Sequence, residues 1–184
     1  MNKITLSSST FFSVRNNEKA KTKMSEDEIN SQFGMMIVAG EDTTANSLVW
    51  VLYVLSRNKK WQDTLRQEID NAYAENNGKL DYDRLPFLNA IIKEVLRFYP
   101  TGPFTERIAA ADAILPLSIP IVTLSGKTLT EVKMKRGRTV VISMTGYNRL
   151  SSVWGDDADE FNPYRWLDGR DVMTGTTIGP YANL

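Results

Sequence analysis

The run VAGEDTTANS, residues 38–47, followed at once by LVWVLYVL, constrains the fold more than any other part of this 184-residue sequence. It lies inside a long helical pattern. Ser25 with Glu26 and Glu28 reads as an N-cap followed by acidic first-turn residues. Apolar Ile29, Phe33, Met36 and Ile37 lead into the run, and Tyr53 and Leu55 lead out of it. The pattern predicts one helix over residues 26–56, buried by its apolar flanks. Gly40 in the interior costs about 1 kcal/mol relative to Ala. Thr43 and Thr44 carry hydroxyls that bond backward to carbonyls one turn earlier, so the helix is open to a local bulge. Two readings of Glu41, Asp42 and Thr43 stand side by side: solvated polar residues at a kink, or an acid and a hydroxyl handling protons in a dry pocket. Paired-carboxylate hydrolysis by Glu41 and Asp42 is disfavoured, since adjacent helical positions point about 100 degrees apart.

The same stretch has the length of a membrane span. GEDTTANS divides it, however, and places two carboxylates near the middle, an expensive arrangement in lipid. A buried helix of a soluble body is therefore expected. The preceding residues 1–23 contain no secretory apolar region of adequate length and read as a flexible leader, leaving 24–184 as one partial domain.

Charge and composition narrow the chemistry. Lys plus Arg and Asp plus Glu each number 22, so the formal charge is zero and no basic patch invites nucleic acid. The sequence has no cysteine and no histidine, which removes disulfides, thiolate ligands, imidazole ligands and the usual nucleophile–base pairs from these 184 residues.

Beyond the long helix, Trp61, Leu65, Ile69 and Tyr73 recur every fourth residue, a second amphipathic helix stopped at Asn76, Asn77 and Gly78. Leu88, Ile91, Ile92, Val95, Leu96 and Tyr99 predict a third helix over residues 86–99, ended by Pro100. Then ILPLSIPIVTL, GKTLTEVKMKRG and RTVVISMTG, short β-branched runs punctuated by Gly and Pro, predict small antiparallel strands with Gly137 in a turn. From Tyr147 the sequence is rich in Asp, Asn, Gly, Pro and aromatics without a period, and Trp154, Phe161 and Trp166 read as pins of an irregular segment. The fold class is mainly α with small antiparallel β elements.

Glu94 and Arg97, three apart in KEVLR, share one helical face. On an exposed face such a pair contributes only a few tenths of a kcal/mol. The apolar surroundings point instead to burial, and a buried pair needs further partners, for which Arg165 in FNPYRW is the natural third member. Arg107, placed after the third helix and before the first strands, reads either as a surface residue or as a fork of donors for a carboxylate or phosphate.

Taken in order, AGEDTT at 39–44, EVLR at 94–97, Arg107, NR at 148–149 and WGDDADEFNPYRW at 154–166 resemble the cytochrome P450 family of heme-thiolate monooxygenases, in particular its fungal microsomal-type members. The resemblance covers Met24 to Leu184 and implies a fragment of the cytochrome P450 fold. It implies heme as cofactor, an NADPH-dependent reductase as electron donor, an apolar small-molecule substrate, secondary metabolism as a setting, and an endoplasmic reticulum membrane location for the full-length parent.

Residue by residue, the resemblance assigns Gly40 to making room for dioxygen, Thr43 to steering protons and Asp42 to the acidic neighbour in that relay. Glu94, Arg97 and Arg165 become a structural network behind the heme, and Arg107 reaches a heme propionate. Tyr164 stands where the family often has glutamate, a departure that bears on the loop's surface contacts. The family's cysteine-bearing loop is expected after GPYANL, so a chain without it is expected to bind no thiolate-ligated heme and to be inactive as it stands. The alternative is a non-catalytic remnant in which the same residues are merely structural.

Overall fold

The computed structural model describes residues 25–167. The chain divides into two units, Met1–Ala45 and Asn46–Leu184. The leader expected over residues 1–23 lies outside the described residues.

Helix α1 spans Glu26–Arg57. Its start follows from its first residues. Ser25 Oγ accepts a hydrogen bond from Glu28 N at 3.2 Å, and the Glu28 carboxylate accepts one from Ser25 N at 2.7 Å, a reciprocal capping box. The Ser25 backbone N–H foremost, and the Ser25 hydroxyl second, hold the Glu28 carboxyl below the usual carboxylate value. The expected burial is not found: residues 30–46 are exposed, and Val54 is the helix's buried residue. Met35, Ile37 and Val38 are all more than half exposed, so the apolar pattern marks a helix that the described residues leave uncovered. No helix among the described residues is long and apolar enough to cross a membrane.

In the second unit, α2 spans Lys59–Glu75 and is capped by Asn58, whose side chain accepts from Trp61 N. It ends at Asn76, after which Asn77 (φ 51°) and Gly78 (φ 80°) turn the chain through the left-handed region. A 3₁₀ turn, Tyr82–Arg84, leads into α3, Pro86–Phe98, with proline in the first turn where a missing N–H costs nothing. Phe87, Ala90, Ile91, Glu94, Val95 and Arg97 are its buried residues. Their helical spacing puts one face of α3 at the centre of the core, beside Leu85, Trp154 and Ala158.

Two antiparallel ribbons follow. Strand β1, Phe104–Ile108, pairs with β4, Thr139–Ser143; β2, Ala113–Val122, pairs with β3, Thr128–Met134. The β2–β3 register shifts between Pro116 and Ile121, where Pro116 and Pro120 have no N–H to give the ladder. Gly126 (φ 79°) and Gly137 (φ 81°) occupy the connecting turns. The sequence reading omits β1, and Arg107 is corrected accordingly: it lies within this strand, opposite Val140, and not ahead of the first strand. PFTERIAA has no apolar alternation of its own, and its strand exists by pairing with a segment more than thirty residues later. The irregular stretch beyond holds short helices α4, Met144–Tyr147, and α5, Ser151–Trp154, and a 3₁₀ turn, Pro163–Trp166.

Candidate functional site

The centre of the second unit is polar. Glu94 and Arg97 are fully buried and Arg165 is 1% exposed. Arg97 lies one turn after Glu94 and grips it with both edges of the fork: Nε donates to Oε2 at 2.9 Å and Nη2 to Oε1 at 2.7 Å. Its remaining donors go to main-chain carbonyls, Nη1 to Asn148 O and Ala158 O, both at 2.7 Å, and Nη2 to Glu160 O at 2.8 Å.

Arg165 completes the cluster from the far end of the irregular segment. Its Nε donates to Glu94 Oε1 at 3.1 Å, while Nη1 and Nη2 reach Trp154 O, Asp157 Oδ1 and Asp157 O. The single carboxylate of Glu94 also accepts from Asn162 N at 2.8 Å and from the Trp166 indole at 3.0 Å. Two guanidinium groups and one carboxylate leave a net positive centre, which the Asp157 carboxylate, 3.2 Å from Arg165 Nη2, and the ring of carbonyls offset. The pair satisfies the condition under which buried charge is tolerated, since desolvated donors and acceptors are matched.

The aromatic residues frame this cluster. Trp154 packs edge-on to Trp166 at 5.8 Å, Phe161 lies against Trp61 and Phe98, and Tyr164 against Phe87 at 5.5 Å. Tyr164 therefore joins the irregular segment to α3 and is only half exposed.

In the first unit, Thr43 Oγ1 donates to Ala39 O at 2.7 Å, a backward bond within an unbroken helix. The bulge contemplated from the sequence is absent, because the hydroxyl adds to the ladder without displacing it. A Cβ built on Gly40 meets nothing within 4 Å, so the glycine faces open space. Asp42 is exposed. Arg107, in the second unit, is exposed, and its Nη1 donates to Thr105 Oγ1 and to Glu106 O at 2.8 and 2.7 Å.

The structure brings Glu94, Arg97 and Arg165 together. Three residues singled out for other reasons join it as partners: Asp157 and Trp166 directly, and Asn148 as a main-chain acceptor. The signal for Trp166 is its place beside Arg165 in FNPYRW; a carbonyl acceptor such as Asn148 O leaves no mark in a sequence.

A helix carrying a buried Glu–Arg pair, locked by an arginine from an irregular aromatic segment and followed by small antiparallel ribbons, defines the class. The cytochrome P450 family model matches residues 3–181, and the chain belongs to that family. It is 36% identical over 148 residues to a cytochrome P450 monooxygenase of Hericium erinaceus, covering 79% of this chain and 27% of that protein. It is 38% identical over 152 residues to one of Ampulloclitocybe clavipes, covering 82% and 28%. The chain thus spans under a third of the length of these curated relatives. Among solved structures, a zebrafish cytochrome P450 with progesterone superposes with a TM-score of 0.63 at 23% identity, over 86% of this chain and 35% of that one. The observed elements are those of a fragment of the cytochrome P450 fold.

Proposed function

We propose that the protein to which these residues belong is a heme-dependent monooxygenase, inserting one atom of dioxygen into an apolar small molecule with electrons from an NADPH-dependent reductase at the endoplasmic reticulum membrane. The observation that carries this reading is the Glu94–Arg97–Arg165 cluster with every guanidinium nitrogen engaged, in a chain of this family. Whether the 184 residues fit a heme is decided by their donors. They include neither Cys nor His, so they do not fit axial ligation of its iron as a thiolate or imidazole site. They do include groups suited to its periphery.

When bound, heme supplies the redox chemistry of oxygen insertion. In the first unit, Gly40 leaves space that any side chain would narrow, and Asp42 with Thr43 would hold and pass protons, Thr43 through an Oγ1 now engaged on Ala39 O. In the second unit, Arg107 would bind a carboxylate of the cofactor; its exposed fork already holds two oxygens, and turning it outward exchanges those local bonds for a charged partner.

We further propose that the 184 residues by themselves form no heme-thiolate centre and do not turn over substrate. Heme titration of this chain tests that: weak, non-saturable association is expected, and stoichiometric binding with a discrete Soret band overturns it. The natural gene product, given heme and carbon monoxide under reduction, is expected to show thiolate-type absorption. Its absence there would favour the non-catalytic reading.

A further inference from the structure

Helix α3 carries Glu94 and Arg97, ends with Tyr99 N donating to Val95 O at 2.7 Å, and has no local side chain to close its N-terminus. Its N-cap is Leu85, with no side-chain cap bond, and its first turn contains no acid. Four N–H groups and four C=O groups of any helix lack partners within it, and at a buried helix each unmet group is costly.

Both ends are met from elsewhere in the second unit. The Glu68 carboxylate, on α2, accepts from Phe87 N at 2.7 Å and from Leu88 N at 3.0 Å, one oxygen to each. At the other end, Asn148 Nδ2 donates to Arg97 O at 3.0 Å and Arg149 Nη2 to Phe98 O at 3.2 Å. The Arg149 guanidinium also lies 3.9 Å over the Phe98 ring. An anion stands at the N-terminus and a cation at the C-terminus, the arrangement the helix dipole favours. Asn148 grips residue 97 twice, through its main-chain oxygen and, via Asn148 O, through its guanidinium.

We infer that Glu68 and the Asn148–Arg149 pair are positioning residues: capping α3 in trans at both ends, they fix its axial and rotational setting so that Glu94 meets Asn162, Arg165 and Trp166 together. Arg149 Nε is the one buried side-chain nitrogen or oxygen among the described residues without a hydrogen-bond partner. The rest of that guanidinium is held by the helix end, by the Phe98 ring and by the Asp159 carboxylate, 4.0 Å from Nη1. The inference goes beyond the monooxygenase reading and holds whether or not the protein turns over substrate.

The test uses the full 184-residue chain and two reporters, amide hydrogen exchange at Phe87 and Leu88 and the ¹H–¹⁵N signal of the Trp166 indole, whose N–H rests on Glu94. In E68A both amides are expected to lose about tenfold in protection, the size of a lost charged cap. The Trp166 indole signal is expected to shift and its exchange to quicken, although the indole donates to Glu94 and not to Glu68. E68Q, with one good acceptor oxygen left, is expected to preserve one amide and to move the indole less. R149K, at the opposite end, keeps the charge but loses the planar fork, and is expected to move the indole too. If the amides lose protection while the indole stays unmoved in both E68Q and R149K, the caps are local only and the inference fails. Should E68A not fold, E68Q and R149K carry the same decision.

Discussion

Two sets of polar residues in this chain, Glu94–Arg97–Arg165 and Gly40–Thr44, were both marked by their chemistry, and the chain treats them oppositely. The first is sealed: carboxylate, guanidinium forks, indole and main-chain carbonyls engage one another with 0–1% of each charged residue exposed. The second is open, and Thr43 Oγ1 donates to Ala39 O within its own helical turn. Burial makes each partner indispensable, because removing one strands another in a place water cannot reach. Exposure removes that constraint, because water can replace any partner an exposed group loses; the dry surroundings expected of Asp42 and Thr43 are not found among the described residues.

The difference can be broken by substitution. Glu94→Ala leaves two buried arginines without their shared carboxylate and is expected to destabilise the second unit by about 3–5 kcal/mol, enough to unfold it. Urea denaturation followed by Trp fluorescence checks this, and a loss below about 1 kcal/mol would mean the cluster is solvated. Ile91→Ala, fully buried on the same helix, is expected to cost about 2–5 kcal/mol by the same measurement. At the open set the direction reverses. Gly40→Ala adds a methyl that meets nothing within 4 Å and is expected to raise helix stability by up to about 1 kcal/mol, visible as greater helicity by circular dichroism. A destabilised G40A would show that the glycine is required by packing and would erase the contrast.

The smallest effect is electrostatic. Asp112, held below the usual carboxylate value by Lys135 first and by Arg136 N second, is exposed. Because its value in the fold is lowered, its stabilising contribution is present above the ordinary carboxylate value and is lost as pH falls through the lowered one. NMR titration of its carboxyl should show the depressed midpoint, and Asp112→Asn should leave the denaturation midpoint near neutrality almost unchanged.

What was legible in the sequence follows the range of the forces involved. Helix α3 was read to within a residue because its apolar spacing and Pro100 are local signals, and Asn76 to Gly78 announced the end of α2 for the same reason. Strand β1 was illegible because its ladder partner is distant in sequence, and the partners of Arg97 because they are carbonyls common to every residue. The apolar flanks of α1 were read as burial; they record a demand for cover, which the described residues do not meet. Glu68 was passed over because an acid on one helix says nothing about the next helix whose end it closes.

The Glu94–Arg97 bond spans three residues, whereas the Glu94–Arg165 bond spans 71. The first can form as soon as α3 does, in the time of helix growth; the second waits on closing a long loop, whose entropy must be met before any contact rewards it. The arginine that completes the cluster should thus arrive last, and its loss should act on the rate of unfolding far more than on the rate of folding. The cluster is in that sense a latch: it does little to start the structure and much to keep it from coming apart.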